Sequence, residues 1–218
     1  DSPWGNFLRT VLLKMKKFKI KQNTGMTYVE LIVVLSIFSV LSSVVIFNYG
    51  DFQARVDIKN LSSDIALKIV EAQKSSVNGA WNFSAIANWK PSYGIYFNSS
   101  ATLDTDGVSF NKKFIYFADL DNNNNYDGPS TCATAECLDK IIITKNNYIS
   151  RIDSYTDSIL TQQITNSLSI IFKRSDPGAT FTSSGLLLGF DYIQITIASP
   201  RGATALIKIY PSGRVQIN

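Results

Sequence analysis

The 218 residues are enough for one membrane-spanning segment and a single domain with its own core, and the formal charge is +4, with 21 Lys and Arg against 17 Asp and Glu. There is no histidine and there are only 2 cysteines, which excludes Ser-His-Asp and Cys-His catalysis, an imidazole general base and a zinc site. No G-x-x-x-x-G-K-[ST] phosphate loop occurs either.

Residues 1–14 do not begin with methionine and read as neither tag nor domain. From Met15 to Gly25 the chain is a compact lysine-rich segment, Met-Lys-Lys-Phe-Lys-Ile-Lys-Gln-Asn-Thr-Gly. It is followed by Met26-Thr27-Tyr28-Val29-Glu30 and then by 17 uncharged residues, Leu31 to Phe47. Counted from Met26 to Tyr49, the apolar segment would make roughly 36 Å of helix, enough to span a bilayer. Glu30 is its one acid. A carboxylate at the edge of such a span costs about 1 to 3 kcal/mol depending on depth, so it calls for a partner. A secretory signal peptide has a shorter apolar region without an acid and ends in a small-x-small site; the residues after Phe47, Asn48-Tyr49-Gly50-Asp51-Phe52, offer none.

The lysine-rich front, Gly25, Glu30 and the apolar run closely resemble the cleavage and methylation signal of type IV prepilins and of the pseudopilins of type II secretion. The resemblance implies a prepilin peptidase cut after Gly25, methylation of Met26 as the first mature residue, and Glu30 as the assembly acid in the fifth mature position. Translation is then expected to begin at Met15, leaving 1–14 as upstream or cloning-derived sequence and 15–25 as the leader. Removing residues 1–25 takes away a net +5 and leaves about −1 on Met26 to Asn218. The high isoelectric point belongs to the leader, so nucleic acid gains little support as a partner. Six basic residues before the span and a mixed sequence after it (Asp51, Arg55, Asp57, Lys59) put the amino end in the cytoplasm and the rest outside.

Beyond Gly50 the pattern becomes amphipathic. Ile58, Leu61, Ile65, Ile69 and Ala72, with Val77 later, recur at helical spacing, while Lys59, Asp64, Lys68, Glu71 and Lys74 fall between them. The spacing predicts that the helix continues over 50–79, laid against a head formed by 80–218 and capped near Asn78-Gly79. Eight strands are expected in the head: 94–98, 113–118, 140–145, 148–152, 168–174, 192–198, 204–210 and 214–217, the last two joined by a Pro211-Ser212-Gly213 turn. The fold class expected is α+β, a long transmembrane and amphipathic helix packed on an antiparallel β head. This head resembles that of the minor pseudopilins and their fimbrial counterparts.

One head loop carries candidate ligands. Asp119, Asp121, Asn123, Asn125 and Asp127 alternate along the chain and offer oxygen atoms of the kind Ca²⁺ takes. The match to an EF-hand is partial: Asn124 stands at the usual glycine position and Ser130 at the twelfth. A turn-forming Asn/Asp cluster is the alternative. Cys132 and Cys137 lie close enough to form a disulfide in an oxidising compartment, the alternative being a reduced pair. The pairs Asp104 and Asp106, or Asp153 and Asp157, read as turn and surface residues, and an enzyme is not expected. Two functions remain. The chain is a structural subunit of a type IV pilus-like filament, assembled with other pilin subunits, or a membrane- or filament-mounted binding module for a surface, a secreted substrate or DNA. In the second case Lys173, Arg174, Arg201, Lys208 and Arg214 would form a patch with Trp81 and Trp89 as stacking groups, the plainer reading being scattered charges and tryptophans packed where helix meets head.

Overall fold

The computed structural model describes residues 25–85, 89–165 and 167–218; the expected leader before Gly25 lies outside the described residues. The chain divides into two compact units, Asp1–Ile46 and Phe47–Asn218. Among the described residues the fold is α+β: one α-helix, a short 3-10 turn at Phe110–Lys112 and two antiparallel sheets.

Helix α1 is Tyr28–Val77. In the first unit its large apolar side chains, from Met26 to Ile46, are exposed. By length and composition the helix can cross a membrane. Its serines suit that setting. The hydroxyls of Ser36 and Ser43 donate to the carbonyls of Val33 and Val40, both at 2.8 Å, so the helix itself satisfies them.

In the second unit the same helix buries a stripe. Ile58, Ile65, Ile69 and Ala72 belong to the main core, and Leu61 packs against it half-buried. Val77, expected to continue the stripe, is 40% exposed. The helical period brings position 76 inward instead, and Ser76 is buried there with its Oγ accepting the Tyr93 N–H at 2.7 Å. The helix stops as expected. Gly79 adopts φ +58°, its N–H donates to Ser76 O at 2.9 Å and the Ala80 N–H to Ser75 O at 2.8 Å. Those two bonds are the Schellman pair that satisfies the last carbonyls.

The strands are β1 (Ser92–Asn98), β2 (Lys113–Asp119), β3 (Cys137–Ile142), β4 (Tyr148–Thr156), β5 (Ile159–Ile164), β6 (Ser167–Phe172), β7 (Ala179–Thr182), β8 (Tyr192–Ala198), β9 (Thr204–Ile209) and β10 (Val215–Ile217). Every expected strand has a counterpart, although the third is displaced from 140–145 to Cys137–Ile142. Strands β5 and β7 are additional. The sheets run in the order β3-β2-β1-β6-β7 and β10-β9-β8-β4-β5. The expected turn closes β9 onto β10, with Gly213 at φ +82° and its N–H donated to Tyr210 O at 2.8 Å.

Alternation along the first sheet divides it into two buried faces. Ile95, Phe97, Phe114, Leu168, Ile170 and Phe172 face the helix and the second sheet. Ile115, Phe117 and Ile171 face the other way and are covered by Tyr126. The helix closes the side where β3 and β10 are sheet edges: Lys68 Nζ lies 3.6 Å from Asp139 of β3, and Ile58 lines one cleft with Ile217 of β10.

Gly94 is required in the middle of β1. It stands opposite Phe117 on one side and Ile171 on the other. An added β-carbon would lie 2.6 Å from Ile170 O and 2.9 Å from the side chains of both neighbours. We therefore expect Gly94→Ala to lower unfolding free energy by about 1 to 3 kcal/mol, measured by denaturant titration of the detergent-solubilised protein.

Candidate functional site

The start of α1 gathers the residues expected to matter most. Thr27 is the residue before the first helical turn, and its Oγ1 accepts the Glu30 N–H at 3.2 Å. Thr27-Tyr28-Val29-Glu30 is thus a T-x-x-E sequence whose threonine caps the helix. The sequence carries this signal openly, and it adds a capping role for Thr27 to the Gly25, Met26 and Glu30 pattern. Glu30 is exposed. Its charge sits in the first turn, where it complements the helix dipole. Met26 is 56% exposed immediately before the cap.

The acidic loop that leaves β2 is a chain of side-chain turns. Asp119 is buried and accepts the N–H groups of Asn123 at 3.2 Å and Asn124 at 3.1 Å. Asp121 accepts both the N–H and the side-chain amide of Asn123, at 3.2 and 2.7 Å. Asn123 Oδ1 accepts the Asn125 N–H at 2.7 Å, and its amide also donates to Asp127. Asn125 donates to Asp127 at 2.8 Å and accepts the Ser169 hydroxyl at 2.9 Å. Asn122 and Asn124 are left-handed at φ 61° and 62°, so Asn124 holds the conformation that glycine usually supplies.

Of the five expected ligands, only Asp119 and Asp121 are brought into a carboxylate group, and the third member is Glu136, with their oxygens within 4.8 Å of one another. Glu136 lies fifteen positions beyond Asp121, out of reach of any short spacing motif. It also ties the loop shut by accepting the Leu120 N–H at 3.1 Å. Three carboxylates are the donor type of a hard cation. The same oxygens nevertheless serve the loop's own N–H groups, which accounts for their positions without an ion. Cys132 and Cys137 form a disulfide just beyond the loop, and the short connection it closes contributes about 2 kcal/mol in the chain-entropy model.

The pair read as surface acids is an internal ion cluster. Lys113 is buried with its Nζ 2.5 Å from Asp104 and 2.8 Å from Asp106, while Lys140 reaches Asp106 at 3.2 Å. Burial pushes Asp104 upward, but hydrogen bonds from Lys113 and Ser130 outweigh it and hold the carboxyl below its usual range. Bonds from Lys113 and the Val108 N–H hold Asp106 down at about 2. Asp153 is also buried and takes Arg151 Nε at 2.7 Å, whereas Asp157 is exposed. A lysine nine positions further on drew both acids inward, which a surface reading of the pair does not anticipate.

The five basic residues do not form one patch. Arg201 and Arg214 lie in the turns at opposite ends of β9, Lys208 sits 4.7 Å from the Tyr192 ring centre, and Arg214 sits 3.9 Å from that of Tyr210. Trp81 is 66% exposed and stands against Phe83, itself 87% exposed, so it does not pack where helix meets head; Trp89 is half-buried.

No family model matches the chain, and no solved structure matches it. Two curated relatives, both fimbrial proteins from Pseudomonas aeruginosa, are each 28% identical over 90 residues, covering 41% of this chain and 58% of theirs. The chain thus spans less than two thirds of the length of these relatives. A likeness to fimbrial proteins therefore joins an N-terminal helix able to cross a membrane.

Burial, with Asp121 nearby, pushes the Asp119 carboxyl up from 3.8 to about 6. The folded state then binds this proton more tightly than the unfolded state does. Its contribution to stability is full below about pH 4 and is lost as pH rises through about 6. In EDTA we expect the melting temperature to carry this decline between pH 4 and pH 6, and the Asp119→Asn variant to have a flatter profile over that window.

Proposed function

We propose that this protein is a subunit of a type IV pilus-like filament, in the role of a minor pilin or pseudopilin of type II secretion or of a pilus. The observation that carries the proposal is an exposed apolar helix that opens three residues after Gly25 with an acid in its first turn. The likeness to fimbrial proteins supports it. In this reading residues 15–25 are the leader, 26–49 the membrane half of the helix, 50–79 its amphipathic half and 80–218 the head. The amino end is cytoplasmic and the head is periplasmic or extracellular.

A prepilin peptidase cuts after Gly25 and methylates Met26. The cut removes the lysines and creates an ammonium that methylation leaves charged. Glu30 neutralises that ammonium, on its own chain or on a neighbouring subunit. An uncut precursor lacks the amine, so assembly waits for processing. Nothing in this role calls for catalysis. Cys132 and Cys137 staple the acidic loop, and Ca²⁺ is the cation that Asp119, Asp121 and Glu136 would hold, supplying neutralisation of their charge. Calorimetric titration with CaCl₂ tests the ion directly: no heat, together with unchanged melting in EDTA at pH 7, rejects it.

The exposed Trp81 and Phe83 favour a second reading, in which the filament mounts a head that binds a surface or a secreted substrate. Abundance in sheared filaments separates a scarce, minor subunit from a dominant structural one.

The cap geometry sharpens the test of Glu30. Glutamine preserves a T-x-x-Q capping box but removes the charge. We expect Glu30→Gln and Glu30→Leu both to insert into the membrane and both to be lost from filaments. Normal incorporation of Glu30→Gln would mean that pairing with the amine is not what the residue supplies.

A further inference from the structure

Two exposed surfaces of the head stand at opposite edges of the second sheet and match each other in chemistry. At the β5 edge the β7–β8 loop runs Gly185-Leu186-Leu187-Leu188-Gly189-Phe190. Leu186 and Phe190 turn inward onto the core. Leu187 and Leu188 turn outward and are 57% and 94% exposed, and Ile159 at the start of β5 is 71% exposed. This is a built feature. Gln162 of β5 donates to Gly185 O at 2.8 Å and accepts the Leu187 N–H at 2.9 Å, and Thr156 donates to Gly189 O at 3.3 Å. The rim of this knob is acidic: Asp157 and Asp191 are exposed, joined by the Asp157 N–H to Asp191 Oδ2 bond at 2.7 Å. Neither acid has an ion-pair partner among the described residues.

At the β10 edge a cleft of about 420 Å³ lies between α1 and the end of the sheet. Its floor includes Ile58, Ala203 and Ile217, and its rim carries Arg55 and Lys59, one helical turn apart and exposed. Among the described residues neither cation has an ion-pair partner. An apolar knob with two free acids and an apolar cleft with two free cations therefore occupy opposite edges of one sheet.

We propose that the knob formed by Leu187 and Leu188 docks into the cleft between α1 and β10 of a second copy of this chain, with Asp157 and Asp191 facing Arg55 and Lys59. The occupant follows from charge complementarity, since the cleft's cations meet the two acids that border the knob. The two surfaces differ, so the contact is heterologous and each copy keeps one free knob and one free cleft. A heterologous contact that does not close on itself repeats along an open helical assembly. The inference rests on the filament reading, taken with this chain as a subunit that repeats along the filament and not as a scarce one, and gives it a specific contact between heads, separate from Glu30 and the apolar helix.

The test uses the full chain in its membrane with Leu188→Cys and Ile217→Cys introduced together and a short bis-maleimide added. The native cysteines are disulfide-bonded and do not compete. The contact predicts a ladder of dimers, trimers and larger species from the double variant, and only dimers when the two single variants are mixed. Adding Arg55→Asp and Lys59→Asp should cut the ladder by about tenfold or more, because like charges then face each other, and adding Asp157→Lys and Asp191→Lys as well should restore it. Absence of the ladder, or a ladder indifferent to the charge swap, overturns the contact. Electron microscopy of the same cells scores filaments independently: filaments without the ladder defeat this contact and leave the proposed function standing, while a charge-dependent ladder without filaments supports the contact and defeats the filament reading.

Discussion

The head depends on one apolar stripe, Ile58, Ile65, Ile69 and Ala72, being removed from water by two sheets at once. Burying each isoleucine contributes about 1.5 to 3 kcal/mol, more than any single surface ion pair on the helix can offer. The stripe also determines the architecture. With β3 and β10 at the edges beside it, the helix fills the open side of a two-sheet stack that those strands alone would leave exposed. Ser76 and the Schellman turn at Gly79 end the helix where Tyr93 begins its strand pairing. The helix C-terminus and the start of β1 are thus fixed by the same few bonds.

On the other face of the first sheet the constraint is different. Tyr126 covers Phe117 and Ile171, and its hydroxyl donates to Pro129 O at 2.8 Å. The loop that carries it must therefore leave β2, cross the sheet and return to β3 through the disulfide. Asparagine and aspartate turns, with two left-handed asparagines, give that path its bends. The Asp119 carboxyl held near 6 is a cost of burying an acid there, offset by the backbone N–H groups it organises.

Periodicity made much of this legible. The change from a continuous apolar run to a three-and-four spacing marks where α1 passes from exposed to buried, and alternation locates the central strands. β5 and β7 escaped because Thr161-Gln162-Gln163 and a four-residue strand carry little alternation, both being sheet edges. Val77 departs from the expected stripe because the helical period places Ser76 inward at that turn. Contacts between distant positions, such as Glu136 with Asp121 or Lys113 with Asp104, need the strand register before they can be seen. Gly25 and Glu30 are legible as a pattern, and Thr27 was equally so once the first turn is read for its cap.

Under the proposed function, Glu30 stands where two demands would meet, the start of the helix and the charge that the proposed cut creates. The account requires that the second be real, and the most direct measurement is mass spectrometry of the amino-terminal peptide of the protein recovered from sheared filaments. The account predicts a peptide beginning at methylated Met26. Recovery of peptides that continue back through Gly25 into the lysine-rich segment, from assembled filaments, would contradict it.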